Sequence, residues 1–271
     1  MNRLRARLRT FFTRWRRRWD SDSGPLQPRL KVVTLSLPKS DKPADRNQDA
    51  VAIRHADDTS FRVALADGVS RSHQPRHWAR HVVDFAVATE HSTLNQIETL
   101  ALAAATFNEG LEKSEDWLEQ ELQQRGSACT LVALSAECPS AGEWQLDLHV
   151  IGDSVAFVFE DGRPARWLPP IPADSFSNVT DALCTTQPII RGRFLTTSEL
   201  VRSGSSVCVV SDALASFAVR KLEEDGHLTV NEVFPFLSDP SGDEFEDWVV
   251  SSRLNKTLDD DDSTLVLVRL P

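Results

Sequence analysis

Five aspartates of this 271-residue chain stand close to one end of a short apolar run, where a carboxylate can take part in binding a metal ion. Runs of this length are typical of buried strands, and strand ends are rigid positions from which side chains can converge at one rim of a sheet. Converging carboxylates repel one another unless cations lie between them. Such oxygen ligands suit Mg²⁺ or Mn²⁺. The aspartates and their runs are Asp49 (50–53), Asp67 (63–66), Asp153 (148–152), Asp212 (207–211) and Asp261 (264–268).

Each aspartate taken singly also has an ordinary structural interpretation. Asp67 precedes a glycine in a common turn dipeptide, Asp153 falls in a Gly-Asp-Ser turn, and Asp212 is placed to cap a following helix. Residues 259–262 are four consecutive aspartates, which is also compatible with a solvated acidic loop. Five such positions in one chain favour a shared metal site.

Histidines and cysteines offer weaker alternatives. His73, His77 and His81 are spaced four apart, which is compatible with a zinc site, with ordinary surface or half-buried histidines, or with one general acid for a leaving alcohol. The four cysteines lack CxxC spacing. They are expected to be reduced thiols in a reducing compartment, not a zinc site or a set of disulfides.

The elements that must position the aspartates come in groups of strands and groups of helices. Two long helices are expected in succession, which favours antiparallel sheets covered by helices over strict strand–helix alternation. Gly110 is expected to break or bend the second helix, residues 152–154 to form a tight turn between two strands, and residues 161–204 to form an irregular flap. The expected strands are 51–53, 61–66, 129–135, 144–151, 155–160, 207–211 and 265–270, and the expected helices are 72–90, 94–124, 213–224 and 243–258.

Charge divides the chain into a basic leader and an acidic body. Residues 1–19 contain eight Arg and no acid, residues 20–29 have the composition of a linker, and residues 30–271 are expected to form the main domain. Beyond residue 19 the chain has 22 of the 30 basic residues and all 40 acidic ones. Such a body should not bind nucleic acid non-specifically. No apolar run is long enough to predict a membrane-spanning helix.

The basic leader has the pattern of an amphipathic helix. Its apolar side chains recur at spacings of three and four, with the arginines around the other face. It is expected to bind an anionic membrane surface or an acidic protein, and an organelle targeting peptide or a disordered tail are the alternatives. The expected location is the cytoplasm, with a peripheral position at the membrane as an option. The apolar residues are Leu4, Leu8, Phe11, Phe12, Trp15 and Trp19.

Around these aspartates the chain resembles the metal-dependent protein phosphatases of type 2C, over roughly residues 34–270. The matching blocks follow the family's order. The amino-acid sequence directly after Asp212 and within residues 168–178 looks most like that of a bacterial subgroup. The blocks are Asn47-Gln-Asp-Ala50, Ala64-Leu-Ala-Asp-Gly-Val69, Ser127-Ala-Cys-Thr-Leu-Val-Ala-Leu134, Val150-Ile-Gly-Asp-Ser154, Val209-Val-Ser-Asp-Ala-Leu214 and Asp261-Asp-Ser-Thr-Leu-Val-Leu267.

The resemblance implies an α+β fold, a four-layer α-β-β-α sandwich of two antiparallel sheets flanked by helices. It implies a hydrolase that removes phosphate from phospho-Ser/Thr proteins by means of a water activated by two Mg²⁺ or Mn²⁺ ions. A third, weaker ion is found in some members. The implied partners are a phosphorylated protein and its cognate kinase.

Residue by residue, the resemblance implies that Asp67 bridges both ions and that the Gly68 carbonyl binds one of them. Asp212 and Asp261 would complete the coordination of the other ion. Asp67, Asp212 and Asp261 would form the catalytic set. Asp49 would act mainly through a coordinated water. Asp153 would hold the third ion together with Asp212. Asp261 is favoured over Asp262 because it lies three residues before Thr264.

Two departures from the family pattern bear on activity. Many members have an arginine five residues before the position of Asp49, where it grips the substrate phosphate, and here that position is Ala44. Arg46 or Arg71 could take over this role. The glycine often found after the position of Asp212 is Ala213, a mild change. The absence of the arginine supports a second hypothesis, in which the chain is a scaffold with the phosphatase fold and negligible turnover. In a third hypothesis, the same metal-dependent hydrolysis acts on a small phosphorylated molecule.

Overall fold

The computed structural model describes residues 30–40, 42–57, 59–112, 116–140, 142–176, 180–238 and 242–271. The predictions for the basic leader at 1–19 and the linker at 20–29 lie outside these ranges. Within them, no helix combines the length and the apolar character needed to cross a membrane.

The described residues form strands β1 to β13 and helices α1 to α6. The strands are β1 Lys31–Leu37, β2 Asp49–Asp57, β3 Ser60–Asp67, β4 Ala128–Cys129, β5 Leu131–Ser140, β6 Glu143–Ile151, β7 Val155–Phe159, β8 Arg166–Leu168, β9 Ala182–Cys184, β10 Ile190–Arg191, β11 Phe194–Arg202, β12 Ser206–Val210 and β13 Ser263–Arg269. The helices are α1 Pro75–Ala88, α2 Ile97–Glu109, α3 Trp117–Arg125, α4 Asp212–Glu224, α5 Val230–Val233 and α6 Gly242–Leu254.

Most strands belong to two five-stranded sheets. The first sheet has the order β11-β6-β5-β3-β2 and the second has the order β1-β13-β12-β7-β8. All pairings in both sheets are antiparallel. Strands β10, β9 and β4 form a small third sheet. The expected α+β architecture of two antiparallel sheets with helices is confirmed.

Period-two alternation along the strands builds the layers, because successive side chains point to opposite faces of a sheet. In β3, Val63 and Leu65 belong to the buried cluster between the two sheets, whereas Ala64 and Ala66 belong to the cluster beneath α1 and α2. In β12, Val209 faces the central cluster. A third cluster packs the second sheet against α4, α5 and α6. The three clusters separate four layers: helices, sheet, sheet, helices.

Small strand residues let α1 lie close to the first sheet. Trp78 of α1 is buried among the alanines of β2 and β3, and its indole N–H donates to the Leu183 carbonyl at 3.0 Å. Pro75 occupies the first turn of α1, where its missing N–H costs nothing. This packing fixes the start of α1 next to the end of β3, where Asp67 lies.

Three element predictions were wrong in part. The expected break at Gly110 is confirmed, so that the helix expected over 94–124 is two helices, α2 and α3. Leu118, which the sequence periodicity placed on the apolar stripe of that helix, is exposed. Residues 152–154 do not close a hairpin, because β6 belongs to the first sheet and β7 to the second. The flap at 161–204 contains β8, β9, β10 and the nine-residue edge strand β11.

Candidate metal centre

The strand ends that carry the aspartates meet at one rim of the two sheets. β2 and β3 are antiparallel, so Asp49 at the start of β2 lies opposite Asp67 at the end of β3. In the second sheet the end of β12 lies beside the start of β13. Asp212 and Asp261 therefore leave that sheet at one end.

Asp153 lies where the chain crosses from one sheet to the other. It follows β6 of the first sheet and precedes β7 of the second. β7 begins at Val155, which pairs with Val210 shortly before Asp212. Gly152 makes the crossing with φ +97°, a value that non-glycine residues rarely adopt. The rims of both sheets are thus joined at Asp153.

Hydrogen bonds through Thr130 fix Asp67 relative to this crossing. The N–H of Thr130 donates to the Asp67 carbonyl at 2.8 Å, and Thr130 Oγ1 accepts the Asp67 N–H at 3.0 Å. The same Oγ1 lies 2.8 Å from Ser154 Oγ. Thr130 and Ser154 are buried, so the backbone at Asp67 has little freedom.

A second chain of hydrogen bonds joins Asp49 to the second sheet. The Asp49 N–H donates to Asn47 Oδ1 at 2.8 Å, and Asn47 Nδ2 donates to Ser36 Oγ at 2.8 Å. Ser36 Oγ lies 2.8 Å from Thr264 Oγ1, and the Thr264 N–H donates to Ser211 Oγ at 2.9 Å. The residue before Asp212 is thereby tied to the strand that carries Asp49.

Both side-chain oxygens of Asp49 are buried. Neither of its side-chain oxygens has a hydrogen-bond partner among the described residues. Burial raises the pKa of Asp49 to about 7, and the negative charges of Asp262 and Asp261 add to the rise, while the nearby hydroxyls of Thr264 and Ser211 oppose it. A buried anion of this kind is costly unless a cation lies beside it.

Three further carboxylates share the same electrostatic field. Burial raises the pKa of Asp67 well above its usual value, and the charges of Asp49, Asp212, Asp153 and Asp261 raise it further. Burial likewise raises the pKa of Asp212, followed by the charges of Asp153, Asp49 and Asp261. Burial also raises the pKa of Asp153. The five aspartates singled out in the sequence are therefore close enough to act on one another.

The acidic run at 259–262 divides its work between neighbouring side chains. Asp262 is buried, and its carboxylate accepts the N–H groups of Lys39 and Gln48, both at 2.8 Å. Asp261 is partly exposed, and its carboxylate accepts only the N–H of Asp262, at 2.9 Å, among the described hydrogen bonds. Asp262 thus anchors the segment before β2, and Asp261 keeps the greater capacity for an ion.

Gly68 is required by a close approach of two backbones. A Cβ at this position would lie 2.7 Å from the carbonyl carbon and oxygen of Pro75. The Gly68 N–H donates to the Gln48 carbonyl at 3.2 Å. A larger residue would push the start of α1 away from the rim.

The donor set fits hard divalent cations. It consists of carboxylate oxygens, two of them buried without partners on Asp49, and such oxygens suit Mg²⁺ and Mn²⁺. Within the described ranges, no group of three or more His, Cys, Asp or Glu side chains is already placed so that it could hold a metal ion. The fit therefore depends on the mutual repulsion and burial of the carboxylates, which cations would relieve.

A cationic recess opens beside the aspartate rim. It is lined by Lys42, Pro43, Arg46 and Gln48, and Gln48 directly precedes Asp49. Lys42 Nζ donates to Gln48 Oε1 at 3.1 Å and lies 3.7 Å from Asp262 Oδ2. Arg46 is exposed. Two cations beside clustered carboxylates offer a place for an anionic substrate group.

The remaining sequence candidates do not converge. Arg71 is exposed in the loop after Gly68. His73 is buried in that loop, His77 is exposed, and His81 Nε2 lies 3.0 Å from the Ala103 carbonyl against α2. The three histidines do not meet around one point, so the zinc alternative finds no support in their placement.

A match to a protein-family model identifies the family, which the geometry of the rim alone does not. The family model described as protein phosphatase 2C matches residues 42–259, which include Asp49, Asp67, Asp153 and Asp212 and end two residues before Asp261. The chain belongs to the protein phosphatase 2C family. No curated protein sequence matches this phosphatase 2C chain.

Solved bacterial phosphatases share the fold of this phosphatase 2C chain. The S. agalactiae serine/threonine phosphatase gives a TM-score of 0.58 at 16% identity, covering 89% of this chain and 100% of that one. Stp1 from Staphylococcus aureus gives 0.57 at 13% identity, covering 93% and 100%. The catalytic domain of PstP, solved with two manganese ions, gives 0.51 at 17% identity, covering 89% and 98%. At these identities the likeness shows the fold alone.

Sequence reasoning missed several residues of this phosphatase 2C rim. Thr130 and Ser154 lie inside the matched blocks, but polar residues beside a strand end carry no signal of a shared hydrogen bond. Lys42 has no signal at all, because its partner Asp262 lies 220 positions further along the chain. The roles of the individual aspartates stay predictions.

Proposed function

We propose that this phosphatase 2C chain is an active Mg²⁺- or Mn²⁺-dependent phosphatase of phospho-Ser/Thr proteins. The single observation that carries the proposal is the gathering of buried or half-buried, mutually repelling carboxylates from both sheets at one rim. An inactive scaffold would have no need of that arrangement, since such carboxylates destabilise the fold without cations.

The proposed ligands are those that the family resemblance assigns to residues of the rim. Asp67 and the Gly68 carbonyl would contribute from the first sheet, and Asp212 and Asp261 from the second. Asp49 would take part from its buried position, and Asp153 would hold a weaker third ion together with Asp212. When bound, two such cations would neutralise charge on the phosphoryl oxygens and lower the pKa of a coordinated water towards neutrality.

The chain's own residues would hold these groups in place. Thr130 fixes the Asp67 backbone, and Ser211 and Thr264 fix the strand ends that carry Asp212 and Asp261. A rim held by hydrogen bonds keeps its carboxylates in place during the reaction, which favours transition-state stabilisation over reorganisation.

Binding of the substrate phosphate falls in this proposal to the cationic recess. The family's usual arginine position is Ala44, at the start of the short turn Ala44–Arg46. Lys42, before this turn, and Arg46, its last residue, both line the recess. A phosphate dianion bound there would contact two cations. Arg71 stays a second candidate, on the loop after Gly68.

Cellular partners follow from this activity. We infer a phosphorylated protein as substrate and a kinase as its counterpart. The four cysteines are free thiols, which supports a reducing cytoplasmic setting. An anionic membrane surface stays a predicted target of residues 1–19.

The deciding experiment is hydrolysis of p-nitrophenyl phosphate and of phosphopeptides with Mn²⁺, with EDTA, and by Asp67→Ala. We expect Mn²⁺-dependent turnover that EDTA abolishes and that Asp67→Ala lowers at least 100-fold, because the bridging carboxylate is lost. Asp259→Ala is the matched control, since Asp259 lies in the acidic run but is exposed.

Each alternative gives a different result. Equal background in all conditions would favour the scaffold hypothesis that Ala44 suggests. Turnover of p-nitrophenyl phosphate without any turnover of phosphopeptides would favour a small phosphorylated molecule as substrate.

A further inference from the structure

Helix α3 is a nine-residue helix without a buried residue. Trp117 is 73% exposed and Leu118 is 51% exposed. The helix is supported locally by the Asp116 cap, which accepts the N–H groups of Leu118 and Glu119, and by the Arg125–Glu121 ion pair. Isolated helices shorter than about 12–15 residues are marginal in water. A helix this bare gains stability if another segment covers its apolar side chains.

The surroundings of α3 are acidic as well as apolar. We call residues 97–112 and 116–125 the α2–α3 surface; the C-terminal parts of both helices contact the segment 185–186 through Asn108 and Arg125. Leu102 of α2 adds a third large apolar side chain, 56% exposed. Residues 97–112 and 116–125 contain six acids and one base, a net charge of −5. A matching occupant would be both apolar and basic.

Residues 1–19 have this composition. They carry eight Arg and no acid, and their six large apolar side chains recur at spacings of three and four. Residues 20–29, fully extended, span roughly 33 Å, and a domain of this size has a radius of gyration of about 18 Å. The linker is therefore longer than this radius, and docking on the α2–α3 surface requires it to be largely extended.

We propose that residues 1–19 dock as an amphipathic helix on the α2–α3 surface of the same chain. The apolar face of the leader covers Trp117, Leu118 and Leu102, and its arginines face the acids around them. The attraction is between opposite charges at a partly desolvated surface, so added salt weakens it.

Helix α6 is the other surface that deserves comparison. It exposes Val250 and Leu254 next to acidic residues. Unlike α3, however, it already buries Phe245 and Val249 against the core. It needs no further cover to be stable, and it serves as the control surface.

Docking on α3 would reach the loop after Gly68. The Gly126 carbonyl at the end of α3 accepts the His73 N–H at 3.0 Å, and Glu119 Oε1 lies 4.0 Å from His73 Nε2. Cover that holds α3 in place also holds this loop, which leads from the rim to α1.

Hydrogen exchange of the α3 amides in the full-length chain tests the proposal. We expect exchange at least 10-fold slower in the wild type than in a variant with Arg14, Arg16, Arg17 and Arg18 replaced by Ser. Glu109→Lys with Glu112→Lys should remove the protection too, because these acids are exposed on the surface while the α3 sequence stays intact. Asp243→Lys with Asp247→Lys, on α6, should leave α3 protected.

Other outcomes overturn it. Equal exchange of α3 in the wild type and the Arg variant would mean that nothing in the leader covers this helix. Loss of protection in the α6 variant alone would place the leader elsewhere. Protection that disappears on dilution would identify a second copy as the occupant. Protection that appears only with vesicles of one part phosphatidylserine to three parts phosphatidylcholine would identify the membrane.

Discussion

Lys42 shows how one side chain can stand between a structural and a functional role. Its Nζ is tied to Gln48 and lies near the buried Asp262, yet its side chain remains 25% exposed towards the cationic recess. An ammonium group held this way has lost part of its freedom before a substrate arrives. Because the side chain is already partly ordered, binding a substrate costs less conformational entropy.

Lys42→Ala should raise the KM for phosphopeptides about 10-fold with little change in kcat, since a charge-assisted hydrogen bond contributes roughly 1.5–3 kcal/mol. Steady-state kinetics with Mn²⁺ measure this. Lys31→Ala is the matched control, because Lys31 is exposed at the far end of β1. An unchanged KM in Lys42→Ala, with thermal stability also unchanged, would remove Lys42 from substrate binding.

At this scale the sequence allowed the carboxylates to be predicted but not their surroundings. An aspartate next to an apolar run marks a strand end, and strand ends gather at rims whatever the exact topology. Lys42 and the division of work between Asp261 and Asp262 depend on which distant backbone N–H groups come close. That information exists only in the folded chain.

Among the elements, the crossing from β6 to β7 is tightly constrained. A Cβ at Gly152 would lie 2.5 Å from Thr130 Cγ2 and 2.8 Å from the Asp181 carbonyl oxygen. Gly204 also has a positive φ, +87°, but no atom lies within 4 Å of its added Cβ. The two glycines separate the cost of backbone conformation from the cost of crowding.

Gly204→Ala should lower the free energy of unfolding by about 1–2 kcal/mol, the conformational cost alone. Gly152→Ala should lower it by roughly 1–3 kcal/mol more, because Thr130 must move, and it should weaken Mn²⁺ binding as the hold on Asp67 loosens. Urea denaturation and Mn²⁺ titration measure both effects. Equal losses of stability in the two variants would show that crowding at Gly152 is relieved without cost.

Helix and strand predictions succeeded where periodicity was supported by burial and failed where it was not. The helices predicted over 72–90 and 213–224 correspond to α1 and α4, and each of these helices buries apolar side chains. The stripe over 94–124 continued through Leu118, which the fold leaves exposed. The turn at 152–154 looked like a hairpin because local sequence cannot tell whether two adjacent strands join the same sheet.

For the whole molecule, burial of several carboxylates links stability to pH and to cations. A carboxyl group whose pKa is raised on folding is stabilising below its unfolded pKa, and this contribution is lost as pH rises through the folded value. For Asp49 the window runs from 3.8 to about 7. Cations bind the ionised form and reverse the loss.

The gain in melting temperature on replacing EDTA by excess Mn²⁺ should therefore grow from pH 5 to pH 8. At a concentration 100 times the Kd the stabilisation is about 2.7 kcal/mol, or roughly 5–10 °C for a domain of this size. Comparing the two conditions at each pH cancels groups that do not bind the ion. A gain that stays constant or shrinks towards pH 8 would contradict the linkage.

The pairing of β1 with β13 has a practical consequence for handling the protein. Lys31 lies opposite Arg269, whereas Leu37 lies opposite Ser263 beside the acidic run. The first and last strands thus start and finish side by side on the back of the sandwich, one strand length from the aspartates. A fluorophore, an affinity tag or a surface anchor attached beyond either strand would lie at the opposite end of the sandwich from the aspartates. The rim that carries the aspartates would then stay accessible.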